Sequence, residues 1–241
     1  MPGLASARTI EAARDGWDAW RAARLAKVVT PTGNLALVET RWLEPGQRQS
    51  PEEALAGAPA TVTATTLSRL DIDTGEPEHG IRLWDANSPA IQNFVTIDVF
   101  PFNPDWVIEA TYSPIPGAHS VPFEHIKDNG GTRDLAVPGE ISFTLDGTGY
   151  VLHAFDDEGT LLLVFGDSTN GRETYGSGRF LVVPHEAGGD RVVLDFNRAY
   201  VPPCGFSAHY NCPLPPRQNR FGMPVQAGEK QPVFRDGYHP Y

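Results

Sequence analysis

Glycine and proline punctuate this chain from end to end, and that density limits what it can fold into. With 24 glycines and 22 prolines in 241 residues, about 19% of positions carry one or the other, against roughly 12% in average usage. Proline breaks helix interiors and glycine weakens them, so a helical bundle is excluded. Many short strands joined by turns tolerate the same punctuation. Apolar side chains at 40% and charged ones at 20% exclude a disordered chain or a fibre.

The period of the apolar residues agrees. Residues 35–42, 60–72, 79–84, 94–100 and 106–112 alternate or are rich in Thr and Val, as half-buried strands are. The stretch 113–129, with Pro114, Pro116, Gly117 and Pro122, reads mostly as connection, with one short strand over 121–126. Residues 139–145 and 150–155 flank Asp146-Gly147, a two-residue hairpin signal. A turn at 156–159 leads to a strand over 160–165, and 179–184 and 191–197 read as a pair across Gly188-Gly189.

One segment is helical. Across 7–27, Ile10, Ala13, Trp17 and Trp20 fall on one face, and Pro31 ends the helix. Ser50-Pro-Glu-Glu53 is a capping signal for one further turn. The expectation is a mainly β, single-domain antiparallel barrel or sandwich of about ten strands with an N-terminal amphipathic helix. Residues 1–30 form the helix packing on the sheet, 31–198 the β domain, and 199–241 a Pro-rich irregular wrap closing one end of it.

Nineteen basic against thirty acidic side chains leave a formal charge of −11, the wrong sign for general nucleic-acid binding. The longest apolar runs, 161–165 and 181–184, are too short to span a bilayer. Residues 1–27 lack the apolar centre of a secretory signal, so the expected location is the cytoplasm. A homo-oligomer is compatible with this composition.

Two polar connections exceed the usual loop of about 4–6 residues. The first spans 166–178. The second runs over 199–230 with Pro202, Pro203, Pro213, Pro215, Pro216 and Pro224, yet it carries aromatics that a disordered segment lacks. If 179–184 pairs with 191–197, both connections start from one rim and converge their polar groups on one mouth. The same groups serve equally to pin an irregular wrap.

In the site reading, Arg179, Asn197, Asp167, Thr169, Asn219 and Glu229 bind an anionic substrate. Glu173 or Asp195 is the general base, Tyr175 or Tyr200 the hydrogen-bond donor or acid, and Cys204 a nucleophile candidate. Cys204, His209 and Cys212 have the donor types of a zinc site. They equally suit a disulfide between the cysteines, one reactive thiolate, or inert buried thiols, and these alternatives stay open. Neither a phosphate loop ending in Lys-Ser/Thr nor a nucleophile elbow is present. No cofactor and no metal are assigned.

Several stretches together carry a resemblance. These are Asp167-Ser-Thr-Asn-Gly-Arg-Glu-Thr-Tyr-Gly-Ser-Gly-Arg179, Asp195-Phe-Asn-Arg-Ala-Tyr200, Pro203-Cys204, Cys212-Pro-Leu-Pro-Pro216, Asn219-Arg220 and Ala227-Gly-Glu229. Upstream, Trp20-Arg21, Arg41-Trp42-Leu43 and Arg82-Leu-Trp-Asp85 belong with them. Together they resemble a bacterial and archaeal family catalogued as domain of unknown function 1684. Phe221 stands where that pattern has leucine, and Val201 where it has asparagine. The resemblance implies a fold and a site location and no reaction. The expected function is a cytoplasmic small-molecule enzyme using acid/base chemistry of hydrolase, lyase or isomerase type on an anionic metabolite. The alternative is a non-catalytic small-ligand-binding β-barrel protein.

Overall fold

Strand pairing in the computed structural model follows the turn signals wherever the turns are tight. The structure describes residues 3–71, 74–127, 132–157, 159–186 and 188–240. Among them are helix α1 (Ala7–Val28), β1 (Leu37–Trp42), α2 (Pro51–Ala54), β2 (Val62–Leu70), β3 (Pro77–Asp85), α3 (Pro89–Asn93) and β4 (Phe94–Val99). Then come β5 (Val107–Glu124), β6 (Thr132–Leu145), β7 (Thr148–Asp157), β8 (Thr160–Phe165), β9 (Arg179–Val183), β10 (Arg191–Asp195) and β11 (Glu229–Phe234). The protein is mainly β, and its strands pair antiparallel in the two larger sheets.

The chain divides into two compact units. The first holds residues 1–21, 97–202 and 212–231; the second holds 22–96, 203–211 and 232–241. In the first, six strands in the order β10-β5-β6-β7-β8-β9 curl into a half-barrel. The β6–β7 hairpin turns at Asp146 and Gly147 with φ of 49° and 77°, the positive pair that a tight two-residue hairpin turn requires. Inside the curl, Phe143, Phe165 and Phe196 are fully buried. Phe221 packs edge-on against Phe165 and Phe196 at 6.0 and 5.8 Å. Each buried phenyl contributes about 2–3 kcal/mol, so these rings dominate the core.

Three sequence expectations are corrected here. Residues 179–184 and 191–197 form no hairpin: β9 pairs with β8 and β10 with β5, so the two stand at opposite ends of the strand order. The link between this region and the following chain is instead a bridge at Phe180 and Tyr200, with backbone bonds of 2.9 and 2.8 Å. Second, the stretch read as connection after Ser113 is strand, because β5 and β6 continue as a two-stranded ribbon. Pro114, Pro116 and Pro122 survive in it because β10 leaves β5 at Thr111, so beyond that point one edge of β5 needs no N–H donors. Third, the C-terminal wrap is not wholly irregular: β11 pairs with β4.

In the second unit, β1-β3-β2 form a three-stranded sheet. Ser50 and Glu53 cap α2 reciprocally, at 3.2 and 2.8 Å. Cys204 lies buried here, and Cys212, a buried thiol too, belongs to the first unit. The turn read at 156–159 lies partly outside the described residues, since Glu158 is not among them.

Candidate functional site

The loop 166–178 and the chain after Met223 are tied together by one fully buried guanidinium. Arg179, at the start of β9, has no exposed surface. Its Nη2 donates to Asp167 Oδ2 at 2.8 Å and to the Val225 carbonyl at 2.7 Å. Its Nη1 donates to the Ala227 and Glu229 carbonyls at 2.5 and 3.3 Å. Burial pulls its pKa down, and the Asp167 carboxylate acts against that pull. Asp167 Oδ1 in turn accepts from the Thr169 N–H at 2.8 Å and the Val225 N–H at 3.3 Å. Thr169 also shares its hydroxyl with Thr174 at 2.8 Å.

Asn219 and Asn197 work in the same way. Asn219 is fully buried; its Oδ1 accepts from the His153 N–H at 2.8 Å, and its Nδ2 donates to the His153 and Val164 carbonyls at 2.9 and 3.0 Å. Asn197 brackets the backbone of Asn103 at 2.7 and 3.0 Å. Glu229 Oε2 accepts from the Val201 N–H at 2.8 Å. A backbone without ladder partners must satisfy its polar groups somewhere, and here side-chain amides and carboxylates do so.

Asp195 is different. It ends β10 half-buried, with Oδ1 accepting from the Asn197 N–H and Nδ2 at 3.1 and 3.0 Å. Its Oδ2 stands 3.1 Å from Arg198 Nε, yet neither atom is in a hydrogen bond. Burial pushes the Asp195 carboxyl above its usual pKa, while Asn197 and Arg198 pull it back. Asp195, Arg198 and Tyr200 line a cleft of about 450 Å³ whose remaining walls are largely apolar: Ala13 and Trp20 of α1, Leu181 and Val182 of β9, and Val193 of β10. That volume is in the range of small-molecule pockets, which are largely apolar with a few placed polar groups.

Of the candidates from sequence, this cleft unites Asp195 and Tyr200. Glu173 is solvent-exposed, and neither it nor Tyr175 lines the cleft; Arg179 is buried away from solvent. Cys204 lies in the second unit. Among the described residues, no cluster of three His, Cys, Asp or Glu side chains is placed to hold a metal ion. Arg198 and Trp20 were not chosen as site residues from sequence. In the structure Arg198 is seated at Gly16 of α1, where a Cβ would meet its guanidinium, a contact between residues too far apart in sequence to be read from it.

A second cleft of about 430 Å³ shares no lining residue with the first. Asp167, Ser168, the 176–178 turn, Pro215, Arg220 and Phe221 line it. Gly178 holds φ at +91°, and a Cβ on it would stand 2.5 Å from Pro215 Cγ, so only glycine seats the turn on Pro215. Among the described residues, no helix is long and apolar enough to cross a membrane.

No curated protein sequence matches the chain. It is similar to an uncharacterized protein of Haloarcula marismortui solved by solution NMR, with 34% identity and a TM-score of 0.47. The match covers 61% of this chain and 80% of that one. Residues 92–230, which contain both clefts except the α1 wall of the first, match a family model. The chain belongs to the family described as "Protein of unknown function (DUF1684)".

Proposed function

We propose that this protein is a small-molecule enzyme using acid/base chemistry on an anionic metabolite, with the Asp195 cleft as its active site. The observation that carries the reading is the Asp195 carboxylate, raised in pKa by burial, 3.1 Å from the Arg198 guanidinium and lining a largely apolar cleft together with Tyr200. A carboxylate whose pKa moves toward neutrality is a more effective general base at cellular pH. Arg198 would pair with the substrate's anionic group. In doing so its guanidinium turns away from Asp195 Oδ2 and leaves that oxygen open to accept a proton from the substrate or from an attacking water. Tyr200 would donate a hydrogen bond to the oxygen on which charge develops. The wall of Trp20, Leu181 and Val182 would exclude water from the reacting atoms.

One observation favours the second reading, a non-catalytic binding protein: Asp195 Oδ2 is covered in this structure, as in a site built to recognise an anion through Arg198 alone. Screening small carboxylated and phosphorylated metabolites against wild type and Asp195→Asn separates the two. The enzyme reading expects turnover by wild type and retained binding without turnover by the variant. Binding by both proteins with no turnover of any bound compound overturns it in favour of recognition.

A further inference from the structure

The second cleft holds a cation whose terminal nitrogens the fold does not use. Arg220 is exposed on its wall. Its backbone is fixed by the bridge to Gly166, with Gly166 N–H donating to Asn219 O at 3.0 Å and Phe221 N–H to Gly166 O at 2.8 Å. Its Nε donates to the Pro215 carbonyl at 3.0 Å, which fixes the root of the guanidinium fork. Among the described residues, Nη1 and Nη2 meet no carboxylate and no carbonyl. Arg179, by contrast, has both terminal nitrogens engaged. In a chain of net charge −11, an arginine in a cleft with its fork unused is a feature to be explained.

Leu214, Pro215 and Phe221 form the apolar part of the wall, and polar residues border the rest. Ser168 and Ser177 border it, and neither hydroxyl hydrogen-bonds to another described residue. The N–H groups of Ser177 and Gly222, which also border the cleft, make no backbone bond there either. The single acid in the wall, Asp167, is neutralised by Arg179 at 2.8 Å and by the N–H groups on its other oxygen, so it does not repel an anion. Gly178 packs the serine turn directly on Pro215, whose carbonyl accepts from Arg220 Nε.

A guanidinium fork sharing one cleft with hydroxyl and backbone N–H donors matches an anion with several acceptor oxygens. A carboxylate offers two oxygens; a phosphate monoester offers three, with up to two charges. We infer that this cleft binds the phosphate group of a small phosphorylated metabolite, with Arg220 as its cation and Ser168 and Ser177 as its hydroxyl donors. The site is separate from the Asp195 cleft and does not depend on the chemistry proposed there.

The test is an NMR titration of the full-length ¹⁵N-labelled protein with glycerol phosphate, inorganic phosphate and acetate, at constant ionic strength held with sodium chloride. Saturable shifts are expected at the Ser168, Ser177 and Gly222 amides, with glycerol phosphate at least as tight as inorganic phosphate and acetate at least tenfold weaker. If inorganic phosphate is the tighter of the two, the ester assignment is overturned. Arg220→Gln should weaken phosphate binding at least tenfold, Ser168→Ala a few-fold, and Asp195→Asn not at all. Arg220→Lys keeps the charge but loses the fork, and should lie between Arg220→Gln and wild type; it also serves if Arg220→Gln fails to fold. Shifts that do not saturate, or equal affinity in wild type and the Arg220 variants, overturn the assignment.

Discussion

The Arg198 guanidinium lies against the backbone of Gly16, where an added Cβ would stand 2.5 Å from its Nη2. The glycine that weakens α1 by composition is therefore the seat of the cation beside Asp195. Moving the tip of a flexible side chain is cheap, and Gly to Ala inside a helix gains about 1 kcal/mol. Gly16→Ala should keep Tm within a few degrees of wild type while displacing Arg198. Because Arg198 pulls the Asp195 pKa down, the variant should titrate Asp195 at higher pH than wild type in a carboxyl ¹³C NMR experiment. An unchanged titration means that Arg198 is not held by this contact.

Arg179→Met should destabilise the protein by about 3–5 kcal/mol, since it leaves the Asp167 carboxylate buried without its partner. Adding Asp167→Asn should recover part of that loss, because the orphaned charge goes with it. Denaturant unfolding of the two single variants and the double variant measures the coupling. A loss below about 1 kcal/mol for Arg179→Met is incompatible with the pinning role.

Asn219→Ala orphans the part-buried His153 N–H and two carbonyls at once. An unsatisfied buried polar group costs about 1–3 kcal/mol, so the variant should lose at least that much. Amide hydrogen exchange should show the loss of protection at His153 first. Exchange at that amide as slow as in wild type contradicts the assignment.

Asp195 holds its proton more tightly in the folded chain than in the unfolded one, because burial raises its pKa above the usual 3.8. Its favourable contribution is complete below that value and is lost as pH rises through the raised folded value. Asp195→Asn does not titrate. The Tm of wild type minus that of the variant should therefore fall as pH is raised from about 3.8 upward. A difference that stays constant, or grows, means that Asp195 is not desolvated in solution.

Local chemistry was legible in the residues themselves. The Asp146-Gly147 turn, the Ser50–Glu53 cap and the buried face of α1 through Ala13 and Trp17 follow from backbone sterics and side-chain reach over a few positions. The mainly β character followed from glycine and proline density for the same reason. What only the tertiary structure decided is partner choice. Nothing near residues 179–197 indicates that β9 joins β8 while β10 joins β5, because pairing is settled by which surfaces bury together far along the chain. The fate of the polar groups was hidden in the same way. Arg179 and Arg220 are alike in composition and both lie in polar loop surroundings, yet one is enclosed by three carbonyls and a carboxylate, and the other keeps its fork in an open cleft. Desolvation and hydrogen-bond satisfaction, which separate a pin from a site, come into being only when distant segments meet.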